Sequence, residues 1–421
     1  MTKIPHILTE ETEKNLFQKN LLPHLLLGEN VTARWTPHGG RRKALTFLAQ
    51  FGRSFGFSLL GKFLLVYVDK EELTEETPRA YCRLFLNSLT GKKNVEEGSP
   101  DFFSLLKEKI DELLAQNYHL IFILGRFDEL NLPTILFDNL KHLWQLDKAK
   151  VHFIFAVNRN IFHPDLFIKY GQLRELLSQN LVYFPIFSRP DDQFLVEYFI
   201  KKYGYKVSQT KQTLVKKLGG GHPSLTKACL RILNDSPLLS VKEIQEFLSQ
   251  QWEIKMILED IWRSLEPTEK NALLEIVQDT LPKNAKIPEA IDKLRIITKT
   301  KEGQFEFFSP LFRDFVASQK LDAPEITLDP QSGEILINGF PTKEKITLQE
   351  YHLLTAFLKK PDTVLNRDRI AEVLWDKEAD EKYSDWAIDQ IISQLRNKLE
   401  RLGISGQKLQ TIRGRGYRWI N

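Results

Sequence analysis

Between the apolar run Val31–Trp35 and a helical pattern lies Thr36-Pro37-His38-Gly39-Gly40-Arg41-Arg42-Lys43-Ala44-Leu45. A glycine-containing loop between a strand and a helix aims backbone N–H groups outward, and the helix start favours anions. Gly39, Gly40, Arg41, Arg42 and Lys43 are therefore candidate phosphate-binding residues. A metal-assisted version of that chemistry needs Gly-x4-Gly-Lys-Ser/Thr, with the hydroxyl on Mg²⁺. Here the first glycine is Thr36 or Pro37, depending on register, and the glycine before the lysine is Arg41 or Arg42. The hydroxyl position is Lys43 or Ala44. An acidic pair should also close a neighbouring strand. Instead Leu120–Leu124 runs into Gly125-Arg126-Phe127-Asp128-Glu129, with the acids about three positions late. Val151–Val157 ends in Asn158-Arg159, a polar end suited to sensing a terminal phosphate. No catalytic residue and no metal ligand is assigned. No cofactor is fixed, and ATP is left open as a ligand of the loop.

A second constellation lies at the C-terminal end. Ile388, Ile392, Leu395, Leu399 and Leu402 recur at helical spacing over about 385–402, with Ser384 as N-cap and Gly403 as stop. The opposite face carries Trp386, Gln390, Ser393, Gln394, Asn397 and Arg401, flanked by Arg396 and Lys398. Amide side chains suit adenine edges in a major groove, and Arg and Lys suit phosphates. Two strand-like segments, Leu409–Ile412 and Tyr417–Ile420, then flank Arg413-Gly414-Arg415-Gly416. Glycines permit the positive φ of a tight hairpin, and arginines at its tip can enter a minor groove or hold phosphate. Arg418 adds to the basic end. A helix followed by a basic hairpin is the layout of a winged helix.

These segments need scaffolds. The chain has 421 residues, enough for two to four domains, and 27% charged and 42% hydrophobic residues, as in ordinary globular proteins. Its net charge of +4 is mild but uneven. Residues 390–421 hold Arg396, Lys398, Arg401, Lys408, Arg413, Arg415 and Arg418 against Glu400, while 376–389 is acidic. Cys82 and Cys229 cannot build a disulfide framework and fit a reducing, cytoplasmic compartment. The start lacks a signal-type apolar core, and Leu120–Leu124 is far short of a membrane span. The nine His show no metal spacing, and neither a Cys/His pair nor a Gly-x-Ser-x-Gly elbow is present.

Short apolar runs at Val31–Trp35, Phe63–Val68, His119–Leu124, Val151–Val157 and Leu181–Phe184 alternate with amphipathic stretches, which predicts a parallel α/β sheet. The predicted layout is an α/β domain over 1–190, a helical lid over 191–252 and a winged helix over 253–321. A second winged helix follows over 325–421. Gly219-Gly220-Gly221-His222-Pro223 breaks the lid as a turn or touches a nucleotide, and Asp322-Ala323-Pro324 is the linker. Asp69 closes Phe63–Val68 as a phosphoacceptor would, but no paired acids end Val31–Trp35, so a strand-terminal turn is the preferred reading.

Residues 325–421 resemble the winged-helix effector domain of OmpR/PhoB-type response regulators. The resemblance rests on Ile346-Thr347-Leu348-Gln349-Glu350-Tyr351-His352-Leu353-Leu354, Val364 to Ile370 through Trp375, Ala387-Ile388-Asp389, Ile392 to Leu399, and Thr411 to Trp419. It implies a four-stranded N-terminal sheet, a three-helix core, a recognition helix over 385–400 and a wing at 413–416. It also implies that the acidic 376–384 loop faces RNA polymerase in activators. Ile391 and Gln394 stand where basic residues are common, so the target site does not carry over. Residues 25–320 resemble the AAA+/STAND P-loop ATPases, through the loop at 36–45, Gly220-Gly221-His222-Pro223-Ser224-Leu225 and Phe307 to Phe315. With both phosphate-chemistry motifs altered, that module reads as a pseudo-ATPase.

The sequence thus predicts a cytoplasmic, sequence-specific transcription regulator that binds double-stranded DNA, with a degenerate ATPase module for sensing or assembly. Homo-oligomerisation is left open, and no membrane partner is expected. The alternatives are a signalling ATPase that still hydrolyses nucleotide and uses DNA binding as output, and a scaffold whose winged helices bind protein.

Overall fold

The computed structural model describes residues 9–91, 101–131, 133–162, 164–187, 191–236, 240–241, 243–281, 287–300, 302–319, 326–329, 332–337, 340–342, 345–375, 384–402 and 404–420. The chain divides into two compact units, 1–320 and 321–421.

The first unit is built on five parallel strands: β1 (Val31–Arg34), β2 (Lys62–Asp69), β3 (Tyr118–Gly125), β4 (Val151–Val157) and β5 (Leu181–Tyr183). Their order in the sheet is β2-β3-β4-β1-β5. The apolar runs are continuous because both faces are covered. Ile121, Ile123, Ile154 and Ala156 enter one core. Their neighbours Leu120, Phe122, Leu124, Phe153 and Phe155 enter the other. The principal covering helices are α1 (Arg41–Phe51), α2 (Pro78–Thr90), α3 (Phe102–Ala115) and α4 (Thr134–Leu146). This is the expected parallel α/β architecture.

After the sheet come α5 (Asp191–Tyr203), α6 (Gln209–Gly219), α7 (Pro223–Asp235) and α8 (Ile244–Gln250). Then follow α9 (Trp252–Arg263), α10 (Pro267–Val277), α11 (Glu289–Lys293), the antiparallel strands β6 (Ile297–Lys299) and β7 (Phe305–Phe307), and α12 (Pro310–Ser318). These elements share the first core with the sheet: Leu195, Leu225, Ile257, Leu273 and Phe312 belong to the same buried cluster as Ala33 and Leu45.

The second unit has its own core. It opens on β8 (Ile326–Leu328), β9 (Ile335–Ile337) and β10 (Phe340–Pro341), ordered β10-β9-β8. Among the described residues this sheet has three strands, not four. Next are α13 (Leu348–Lys359), β11 (Val364–Leu365), α14 (Arg367–Trp375) and α15 (Asp385–Arg401). The terminal hairpin is β12 (Leu409–Ile412) and β13 (Gly416–Trp419), with β11 paired to β13. Gly416 has φ +126°, and a β-carbon there would overlap the Leu365 carbonyl, so the hairpin can close on β11 only with glycine. Asp322-Ala323-Pro324, Gly403 and most of the acidic 376–384 loop lie outside the described residues.

Candidate functional site

Helix α15 starts as its sequence dictates. Ser384 is the N-cap and its hydroxyl accepts from the Ala387 N–H at 3.1 Å. Ile388, Ile392, Leu395 and Leu399 are buried. Trp386 is 71% exposed, and Gln390, Ser393, Gln394, Asn397 and Arg401 are exposed beside it. The hairpin brings Arg413 and Arg415 to its exposed tip. The helix thus exposes mostly uncharged hydrogen-bonding groups, and the hairpin tip exposes arginines.

Three predicted contact residues are committed elsewhere. The Arg396 guanidinium donates through Nε to the Leu409 carbonyl at 3.0 Å and through NH2 to the Thr411 hydroxyl at 2.9 Å. Lys398 donates to the Lys345 carbonyl at 2.7 Å and to the buried Glu350 carboxylate at 2.5 Å. Arg418 donates to the Gln410 side-chain carbonyl at 3.1 Å. Arg396 thus holds the helix to the hairpin, Lys398 holds it to α13, and Arg418 bridges the two hairpin strands.

A linkage not singled out from sequence ties the wing to the helix. Arg367 donates to Asp389 at 2.8 Å and to the Asp385 carbonyl at 3.1 Å, and the Tyr417 hydroxyl donates to Asp389. The Tyr417 bond holds the Asp389 carboxyl below its usual range. Burial and the Asp389 charge push the Tyr417 phenol up to about 12. Arg367 and Tyr417 both lie in the segments that carry the OmpR/PhoB resemblance, which was the available signal.

The loop of the first unit is differently disposed. Gly40 is the N-cap of α1 with φ +84°. Arg41 is buried and donates to the Asn158 side-chain carbonyl at 3.0 Å. Arg42 reaches back to Glu71 at 2.5 Å and Glu72 at 3.4 Å. Arg126 pairs with Glu71 and lies 3.7 Å from Glu129. The two loop arginines thus face carboxylate and amide groups. Asp128 does not reach back to the strand end. Its Oδ2 accepts from the Asn158 and Arg159 N–H groups, both at 3.0 Å, while Glu129 accepts from the Asn158 amide at 3.3 Å. Among the described residues no cluster of three or more His, Cys, Asp or Glu could hold a metal ion. Asp69 is buried at the strand end, accepting from the Glu71 N–H at 3.1 Å and the Tyr67 hydroxyl at 2.5 Å. That is a turn-stabilising role.

The glycine-rich break before α7 is more than a turn. His222 is buried, and its Nε2–H donates to the Pro37 carbonyl at 2.9 Å while Nδ1 accepts from the Leu225 N–H at 3.3 Å. Ser224 donates to the His38 carbonyl at 3.0 Å, and His38 meets Asp260 of α9 at 2.7 Å. Gly220 and Gly221 have φ of +53° and +77°, and a β-carbon at either would overlap the carbonyls of Phe308 and Phe187. The start of α7 is thereby seated directly on the loop. The loop, α5, α7 and α9 border an open cleft of about 650 Å³.

Residues 342–419 match the family model described as transcriptional regulatory protein, C terminal. These residues are an OmpR/PhoB-type DNA-binding domain. Regulatory protein VirG of Agrobacterium tumefaciens (strain 15955) is 30% identical over 157 residues, which is 36% of this chain and 54% of VirG. Response regulator MprA of Mycobacterium tuberculosis (strain H37Rv) is 28% identical over 139 residues, 33% of this chain and 54% of MprA. The chain thus spans about half the length of the curated relatives it matches. Among solved structures, the AdeR DNA-binding domain in complex with an intercistronic region is 28% identical, covering 23% of this chain and 94% of that one, with a TM-score of 0.20. The Aeropyrum pernix ORC2 protein is 14% identical, covering 73% and 92%, with a TM-score of 0.41. The Walker-type ATPase PABY2304 of Pyrococcus abyssi is 15% identical, covering 73% and 95%, with a TM-score of 0.43. No helix among the described residues is long and apolar enough to cross a membrane.

Proposed function

We propose that this chain is a cytoplasmic, sequence-specific transcription regulator that binds double-stranded DNA through α15 and the 413–415 wing tip. The observation that carries this reading is the exposure of Gln390, Ser393, Gln394 and Asn397 on one helix face, together with that of Arg413 and Arg415 at the hairpin tip. Base edges are read by the amides, and the wing arginines supply sequence-independent attraction. The acidic 376–384 segment is the surface for RNA polymerase, and self-association is a role of the 1–320 unit in the same reading.

Two substitutions separate these roles. Gln394→Ala is expected to relax preference at one or two base pairs by about 1–3 kcal/mol. Arg415→Ala is expected to weaken all sequences alike and to lower the salt slope by about one. Binding to a panel of single-base operator variants at several salt concentrations measures both. Identical, sequence-independent losses from the two changes would remove α15 as the reading element.

In this proposal the 1–320 unit is an AAA+/STAND-type module that does not hydrolyse nucleotide. Support comes from Lys43 or Ala44, depending on register, standing where a hydroxyl would hold Mg²⁺, and from Asp128 and Glu129 being hydrogen-bonded to the end of β4. Phosphoryl transfer rests on metal-assisted charge neutralisation. Phosphate release from ATP with Mg²⁺ is therefore expected to stay at the level of a protein-free control. Turnover that disappears in Asp128→Asn would favour the alternative, a signalling ATPase with DNA binding as output.

A further inference from the structure

Which base pairs α15 selects follows from which of its side chains the fold has already used. Guanine is ordinarily read by an arginine or lysine on O6 and N7, and cytosine by a carboxylate that accepts from N4. Helix α15 carries both kinds of side chain, and folding commits them. Arg396 is held by the Leu409 carbonyl and the Thr411 hydroxyl, and Lys398 by the Lys345 carbonyl and Glu350. Asp385 and Asp389 pair with Arg367, and Asp389 also accepts from Tyr417. Glu400 accepts from the Gly406 N–H at 2.7 Å. The remaining cation of the helix, Arg401, lies in its last turn. A recognition helix meets base edges chiefly with its N-terminal residues.

The outward stripe that precedes Arg401, from Trp386 through Gln390, Ser393 and Gln394 to Asn397, is uncharged and exposed. Glutamine and asparagine amides match adenine N6 and N7. Trp386 stands in the first turn of the helix with 71% of its surface in water. Leaving an indole so exposed costs hydration free energy that an apolar contact returns. In a major groove the apolar group on offer is the C5 methyl of thymine. The exposed Arg413 and Arg415 at the hairpin tip suit the narrow minor groove of A·T tracts. We propose that α15 selects A·T-rich duplex, with its amides on adenine edges and Trp386 packed on thymine methyl groups. This rests on α15 being the helix that reads DNA, and adds the base pairs that it takes.

The probe is the duplex element that the full chain enriches from a random DNA pool, resynthesised with single base-pair changes and titrated at fixed salt. A·T pairs are expected at the positions where Gln394→Ala loses preference. Inosine·cytosine presents the major-groove edge of G·C but lacks the guanine 2-amine in the minor groove. Placed at those positions, it is expected to weaken binding at least about fivefold. Uracil in place of thymine removes one methyl group and is expected to weaken binding about threefold to fourfold at one or two positions. That uracil effect should vanish in Trp386→Ala and persist in Trp386→Leu, which keeps an apolar side chain. G·C pairs at the Gln394-dependent positions, tolerance of inosine·cytosine there, no uracil effect in the unaltered protein, or a uracil effect that survives Trp386→Ala would each overturn the A·T assignment while leaving α15 as the reading helix. A pool that stays unenriched, or an element indifferent to Gln394→Ala, removes the reading by α15 and this proposal with it.

Discussion

Glu269→Ala is expected to destabilise the 1–320 unit by about 3–5 kcal/mol. Glu269 on α10 and Arg34 at the end of β1 form a bidentate pair, with N···O distances of 2.8 and 2.9 Å and side chains 5% and 3% exposed. Arg34 also donates to the Ser264 carbonyl at 3.3 Å, and Glu269 accepts from the Glu266 N–H at 2.9 Å. The pair fastens α10 to the sheet. Alanine leaves a guanidinium buried without its counter-charge and removes half of the α10 capping box. The comparison is Arg34→Met with Glu269→Leu, which removes both charges together and is expected to recover much of the loss. Urea unfolding of the full chain measures both. A cost below about 1 kcal/mol for Glu269→Ala would show that the pair is not the fastening described, since that is the value of an exposed pair.

The second large effect is acid instability of the same unit. Burial pulls both His152 and His222 down to about 4, far below the ordinary imidazole range. Each is held neutral: His222 between Pro37 and Leu225, His152 against the Ala149 carbonyl at 3.1 Å. In the unfolded chain both would protonate near pH 6.5. Protons therefore favour the unfolded state as pH falls from about 6.5 toward 4, and the stability is fully present above that window. Each histidine contributes up to about 3 kcal/mol across it. The 321–421 unit has no buried histidine among its described residues, and its shifted carboxyls, Asp389 beside Tyr417 and Arg367 and Glu350 beside Lys398, are held below their ordinary range. Thermal melts at pH 7.5 and 5 should lower the transition of the first unit much more than that of the second. His222→Gln should reduce the pH dependence by about half. Equal shifts of both transitions would contradict the account.

The sheet was legible because a parallel strand covered on both faces must be apolar throughout, as Leu120–Leu124 and Val151–Val157 are. The recognition helix was legible for a related reason: Ile388, Ile392, Leu395 and Leu399 fix which face is buried, and so which face Gln394 and Asn397 occupy. Partner choice was not legible. Arg396 and Lys398 flank the helix and look available, yet the groups that take them, the Leu409 carbonyl and Glu350, are brought close only by folding. The loop shows the same limit. Arg41 and Arg42 read as an anion cradle from local order alone, whereas Asn158, Glu71 and Glu72 arrive from other strand ends. Gly220 and Gly221 announced a break, but the carbonyls of Phe187 and Phe308 that forbid a side chain there belong to distant segments.

The most direct measurement is selection of preferred duplexes from a random DNA pool by the full chain, repeated with the Gln394→Ala variant. The account predicts enrichment of one definable sequence element by the unaltered protein, with preference lost at one or two positions in the variant and affinity falling steeply with salt. A pool that stays unenriched at moderate salt, or an enriched element unchanged by Gln394→Ala, would contradict reading of DNA by α15.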